Sequence, residues 1–148
     1  MPPVQKVLPA QLQKFKEDKR KITMLSIYDY ALAMLADRAG LDTILVGDSL
    51  AMTALGYPST VAVSLEEMLH HTRAVARGAK RAMVVADMPF MSYQVCPHEA
   101  VRNAGRFLKE AGADAVKLEG GRAMVTTLEA VGVAGPHVDH RLATDVNA

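Results

Sequence analysis

Four times in succession, a short apolar run rich in β-branched residues gives way to a segment with helical spacing, and this alternation limits the chain to very few architectures. Ile22–Ile27 is the first run. Asp29 can cap the helix that follows and Gly40 can end it. Thr43–Val46 is the second strand. Ser64-Leu-Glu-Glu67 has the form of a capping box and opens a helix to Gly78, with Leu65, Met68, Leu69, Val75 and Ala76 at helical spacing. Ala82–Ala86 is the third strand. Pro97 fits the first turn of the next helix, whose apolar stripe is Val101, Ala104, Leu108 and Ala111. Ala115–Leu118 is the fourth strand, and Arg122 to about Val131 the last helix.

Strand–helix alternation with apolar strands predicts a parallel sheet covered by helices, the α/β class. No G-x-G-x-x-G follows a strand, so the dinucleotide-binding open sheet loses its main support. A closed eight-stranded barrel takes ~250 residues. A chain of 148 residues with four such units supplies about half of one. The organisation expected is a polar N-terminal helical segment at residues 1–20, four βα units over 21–134, and a polar tail at 135–148. In the first segment Leu8, Leu12 and Phe15 share one helix face, and no chemistry is expected there.

Composition narrows the function classes. Seventeen basic and sixteen acidic side chains leave a net charge of +1, so no large field argues for nucleic acid or a membrane surface. Three Phe, four Tyr and no Trp disfavour a base-stacking platform. No apolar stretch approaches the ~20 residues of a membrane span, and Met1-Pro-Pro-Val-Gln-Lys contains no secretory h-region. One cysteine excludes an internal disulfide framework and fits a reducing cytoplasm.

The informative acids stand at strand ends. Asp48 follows strand two, Asp87 strand three and Glu119 strand four. Carboxyl ends of parallel strands share the face where ligands bind. Three carboxylates on neighbouring strands repel one another unless a cation lies between them. Hard oxygen donors without a nearby Cys or His cluster suit Mg²⁺, so Asp48, Asp87 and Glu119 are the metal candidates. Each acid read alone is equally a cap or turn residue. Lys117 lies two residues before Glu119 on the same side of its strand, placed either to hold an anionic substrate or to neutralise an acid. Ser49 offers a hydroxyl beside the metal candidates, but no Ser/His/Asp spacing supports a nucleophile. His70 and His71 read as helix-face residues, His98 as exposed, and Cys96 as a turn or cap residue.

Several stretches in order, Lys21-Ile-Thr-Met-Leu-Ser-Ile-Tyr-Asp-Tyr30, Ile44-Leu-Val-Gly-Asp-Ser-Leu50, Leu55-Gly-Tyr57, His71-Thr-Arg-Ala-Val-Ala-Arg-Gly-Ala79, Val85-Ala-Asp-Met-Pro-Phe-Met-Ser-Tyr93 and Val116-Lys-Leu-Glu-Gly-Gly121, resemble the ketopantoate hydroxymethyltransferase family from about residue 8 to about 133. The resemblance implies a (βα)8 TIM barrel preceded by a helix and assembled into a homo-oligomer. It implies transfer of a hydroxymethyl group from 5,10-methylenetetrahydrofolate to 3-methyl-2-oxobutanoate, giving ketopantoate for pantothenate and coenzyme A synthesis. It also implies Mg²⁺ on Asp48, Asp87 and Glu119, and substrate contacts from Asp48, Ser49, Asp87 and Lys117. The family's general base lies on a later strand and is matched by no residue here, so no catalytic residue is assigned.

The tail Gly135-Pro-His-Val-Asp-His-Arg replaces the family's Gly-His-Ile/Val-Gly-Leu-Thr-Pro. Back-translating His140–Val146 with a one-nucleotide shift permits Ile-Gly-Leu-x-Pro-Met-Ser, which points to a frameshifted or truncated product. Two other readings stand beside the family enzyme. One is a related Mg²⁺ barrel of the phosphoenolpyruvate mutase and isocitrate lyase group, whose cysteine-bearing loop is missing here. The other is a non-catalytic half-barrel acting through self-association.

Overall fold

A computed structural model describes residues 5–134. The tail, with its expected departure from the family pattern, lies outside the described residues.

Four strands, β1 (Met24–Ser26), β2 (Thr43–Val46), β3 (Met83–Asp87) and β4 (Ala115–Lys117), form one sheet in the order β1-β2-β3-β4. Every neighbouring pair is parallel, with Ser26 beside Leu45, Leu45 beside Val85, and Asp87 beside Lys117. Helices α1 (Pro9–Glu17), α2 (Tyr30–Arg38), α3 (Leu50–Thr53), α4 (Leu65–Gly78), α5 (Pro97–Lys109) and α6 (Val125–Ala134) complete the fold, with short 3-10 turns at Thr60–Ala62 and Gly121–Met124. This is the predicted βα alternation. None of the helices among the described residues is long and apolar enough to cross a membrane.

Strand alternation sorts the side chains. Ile44, Val46, Val84 and Ala86 point to the helices and are wholly buried in the main core with Met68, Leu69, Val75 and Phe107. The other face carries Thr43, Leu45, Met83, Val85, Asp87, Ala115 and Lys117. At its lower end Met83 packs with Val7 and Leu12, flanked by Phe15, Val85 and Ala115. The N-terminal segment therefore covers the start of the strands. Leu8 departs from the expected face: it caps α1 and is largely exposed.

Local signals placed most boundaries. Asp29 accepts a hydrogen bond from the Leu32 amide at 2.9 Å, and Ser64 and Glu67 make the reciprocal capping box. Other expectations shift. The first strand shortens to Met24–Ser26, because β1 is paired along one edge only; Met24 and Leu25 are each 53% exposed. The third strand runs one residue later and takes in Asp87. The buried stripe of α5 turns to Ala100, Asn103, Ala104 and Phe107, with Val101 and Leu108 only partly buried. Phe107 has the larger ring to bury, and Asn103 is tolerated inside because its amide donates to the Ser92 carbonyl at 2.7 Å. On α4 the inward positions are Met68, Leu69, Thr72, Val75 and Gly78, so Leu65 and Ala76 lie at the stripe's margin. The last helix begins as a 3-10 turn and becomes α-helical at Val125.

Acids near the strand beginnings are held by backbone amides and basic side chains. Asp42 is fully buried at the start of β2 and accepts from Arg20 at 2.9 Å, the Thr23 amide at 3.1 Å and the Thr23 hydroxyl at 3.0 Å. Burial alone would raise its pKa, but these bonds and the Arg20 charge outweigh it and hold the carboxyl below its usual value. Asp37 accepts the amides of Arg81 and Ala82, and Asp114 accepts the amide of Val84 and pairs with Lys6. These groups tie helices to the sheet at the face away from the ligand side.

Gly78 marks the tightest helix contact. A Cβ there would lie 2.6 Å from the Tyr30 carbonyl oxygen and 2.9 Å from the Ala33 Cβ. Gly78→Ala is expected to destabilise the fold by about 1–3 kcal/mol through overpacking, despite alanine's better helix propensity. Urea denaturation monitored by circular dichroism checks this; equal or greater stability of the variant would overturn it.

Candidate functional site

Beyond the strand ends a cleft of about 120 Å³ is lined by Asp48, Thr60, Val61, Asp87, Met88, Phe90, Tyr93, Gln94, Lys117 and Glu119. Parallel pairing builds it. Asp87 ends β3 and Lys117 ends β4 as cross-strand partners, while Asp48 follows β2 by two residues. Gly47 permits that turn to close: a Cβ there would meet the Ser49 hydroxyl at 2.9 Å and Asp87 Oδ2 at 3.5 Å.

Lys117 Nζ bridges Asp87 Oδ1 at 2.7 Å and Glu119 Oε1 at 2.9 Å. Asp87 Oδ2 accepts the Asp48 amide at 3.2 Å. Burial pushes the Asp87 carboxyl up; Lys117 and the Asp48 amide only partly offset this, and the Asp48 charge adds to it. Burial and the Glu119 charge likewise push Asp48 up, against smaller opposing effects of Lys117, the Ser49 amide and the Thr60 side chain. Burial would lower Lys117, but its bonds to Asp87 and Glu119 prevail and hold its ammonium above the ordinary lysine value.

Four of the five predicted residues, Asp48, Asp87, Lys117 and Glu119, thus line one cleft. Ser49 does not line it: its hydroxyl bonds the Tyr28 hydroxyl at 3.0 Å. The three acids supply hard oxygen donors and repel one another, a donor set that fits a divalent cation. As the side chains stand, no three His, Cys, Asp or Glu among the described residues form a ligand group, and the cation between Asp87 and Glu119 is the Lys117 ammonium.

Sequence reasoning did not single out Tyr93. Tyr93 is 5% exposed and accepts the Glu119 amide at 3.2 Å; burial, with the Glu119 and Asp48 charges, raises its pKa over the opposing effects of that amide and Lys117. It is reached through a turn in which Met91 takes φ +66° and the Ser92 amide and hydroxyl both donate to the Pro89 carbonyl. A positive φ at a non-glycine residue was the missing signal, invisible in sequence. His71, read as a helix-face residue, also bonds outside its helix: its Nδ1 donates to the Tyr28 carbonyl at 2.7 Å, fixing the loop whose Tyr28 hydroxyl meets Ser49. Cys96 is exposed at the N-cap of α5. Thr60 and Val61 sit on a loop anchored by a short bond from the Tyr57 hydroxyl to Glu67.

Parallel βα units with acids gathered at the carboxyl ends of the strands define part of a TIM barrel with its ligand face. The solved barrels agree. Phosphonopyruvate hydrolase superposes with TM-score 0.68 at 17% identity, covering 85% of this chain and 47% of that one. Phosphoenolpyruvate phosphomutase from Streptomyces platensis subsp. rosaceus gives TM-score 0.66 at 21% identity, covering 88% and 50%. At such identities the likeness shows the fold alone. The particular family follows from sequence: the model of ketopantoate hydroxymethyltransferase matches residues 6–139, and the chain belongs to that family. It is 57% identical over 136 residues to a 3-methyl-2-oxobutanoate hydroxymethyltransferase of Syntrophus aciditrophicus (strain SB), covering 91% of this chain and 50% of the relative. Over 125 residues it is 60% identical to the enzyme of the same name from Moorella thermoacetica (strain ATCC 39073 / JCM 9320), covering 84% and 46%. The chain thus spans about half the length of the curated relatives it matches.

The Tyr57–Glu67 anchor gives a pH test. Bonds from the Tyr57 hydroxyl and the Ser64 amide and hydroxyl hold Glu67 down to about 2, below its unreacted value of 4.5. A depressed folded pKa contributes stability that is present above 4.5 and is lost as pH falls toward 2. The thermal midpoint of wild type should exceed that of Glu67→Gln at pH 6, with the gap closing on acidification. A gap unchanged between pH 6 and pH 2.5 would contradict this.

Proposed function

We propose that this chain carries the oxo-acid-holding part of a 3-methyl-2-oxobutanoate hydroxymethyltransferase, which moves a hydroxymethyl group from 5,10-methylenetetrahydrofolate to 3-methyl-2-oxobutanoate and yields ketopantoate for pantothenate synthesis. The observation that carries this reading is the meeting of Asp48, Asp87, Lys117 and Glu119 in one cleft of a chain that belongs to the family. Asp48, Asp87 and Glu119 would hold Mg²⁺, which when bound would supply Lewis-acid polarisation of the substrate oxygens. Phosphonopyruvate hydrolase, a barrel of the same fold, has been solved with oxalate and Mg²⁺. Lys117 offsets negative charge on the oxo acid, and Ser49 offers its hydroxyl to the carboxylate in exchange for Tyr28. Val61, Met88 and Phe90 form an apolar wall suited to the branched tail and help exclude water. No residue of this chain is assigned as the base that takes the C3 proton. The enzyme works in the cytoplasm.

The test is metal binding. Calorimetry should show weak Mg²⁺ binding by wild type and about tenfold or more weakening in Asp87→Asn, the loss expected for a charged ligand reduced to a neutral one. Equal affinities would remove Asp87 from the ligand set, and with it the metal-assisted reading.

A second reading concerns assembly, and the open side of β1 favours it. Met24 and Leu25 are exposed beside Ile22, and Leu32 and Leu35 of α2 are more than half exposed. A second copy of the chain packed on this margin would cover these side chains and pair with the free edge of β1. Sedimentation should show a dimer or larger homo-oligomer that Leu25→Lys dissociates. A monomer over a broad concentration range would refute this reading.

A further inference from the structure

We propose that the Tyr93 phenol is a ligand-binding group of the cleft, donating its O–H hydrogen bond to an anionic oxygen of the bound 2-oxo acid. The inference rests on the oxo-acid reading above and assigns a contact to a residue outside the Asp48, Asp87, Lys117 and Glu119 set.

A phenol has one proton to donate and lone pairs to accept with. Tyr93 accepts the Glu119 amide at 3.2 Å. Among the described residues no acceptor lies within hydrogen-bond distance of its hydroxyl, so the O–H proton is left over. The residue is nineteen-twentieths buried yet lines the cleft. A donor that borders the cleft and has no protein acceptor among the described residues is open to a ligand oxygen, which takes the place water would otherwise hold. Before a ligand binds, Lys117 is bonded to Asp87 and Glu119 and Ser49 to Tyr28, so each must exchange a partner to meet the oxo acid, whereas the Tyr93 proton has none to leave. The ring is also fixed in advance. Ser92 is locked to Pro89 by two bonds, and its carbonyl is held by Asn103 from α5. A donor held still before binding loses little freedom on meeting its ligand. The direction of the bond selects the ligand: with its lone pair directed to the Glu119 amide, the group serves an acceptor, and a carboxylate or keto oxygen is the acceptor an oxo acid brings.

The experiment uses the full chain labelled with [¹³Cζ]tyrosine, which gives four signals. Tyr93 is assigned by its loss in Tyr93→Phe. The probe is 3-methyl-2-oxobutanoate titrated in the presence of MgCl₂. The Tyr93 signal should move saturably, and Tyr93→Phe should bind the oxo acid about 10–100-fold more weakly, the loss of one hydrogen bond to a charged group. Its affinity for Mg²⁺ alone should remain within about twofold of wild type, because the phenol acts on the oxo acid and not on the cation. Oxo-acid binding with an unmoved Tyr93 signal and equal affinities would overturn the inference and leave the functional reading standing. Absence of oxo-acid binding by wild type would overturn both. If Tyr93→Phe fails to fold, the wild-type titration with signals assigned through Tyr28→Phe, Tyr30→Phe and Tyr57→Phe still decides.

Discussion

Parallel pairing of β1 through β4 is the constraint on which the site depends. It aligns four strand ends on one edge and makes Asp87 and Lys117 neighbours across the ladder. It also divides the acids by position. Asp42 and Asp114, at strand beginnings, meet backbone amides and basic side chains. Asp48 and Asp87, at strand ends, carry carboxyls pushed upward by burial and by neighbouring negative charge. The same residue type is held by amides and basic groups at one end of the sheet and lines a cleft at the other.

Lys117 is the internal counter-ion of that poise. Its ammonium is shared by a buried carboxylate and an exposed one, which lowers the cost of burying Asp87 without removing it. A second tier of contacts holds the cleft's walls: His71 on Tyr28, Tyr28 on Ser49, Asn103 on Ser92. Strain at Met91 is concentrated in the turn that brings Tyr93 inward.

The sheet's outer margin behaves differently from its centre. β2 and β3 are covered on both sides, whereas β1 leaves its apolar side chains in solvent. This follows from geometry: among the described strands β1 has β2 as its one neighbour, and Leu32 and Leu35 of the adjoining α2 are more than half exposed.

The sequence by itself determined the βα alternation, the limits of β2, the Asp29 cap, the Ser64 capping box and the alignment of acids at strand ends. All of these depend on residues within about four positions of each other, where backbone periodicity and capping chemistry act. Tertiary structure alone decided which way α5 turns, that Asn103 is inside, that Asp42 is held by Arg20 and Thr23, that Lys117 spans Asp87 and Glu119, and that Tyr93 lines the cleft. Apart from the Lys117–Glu119 contact, these bonds join residues 11 to 30 positions apart, from Asn103 and Ser92 at one extreme to Lys117 and Asp87 at the other. Their partners are chosen by how strands stack and helices cross, and no local pattern in the chain records that choice.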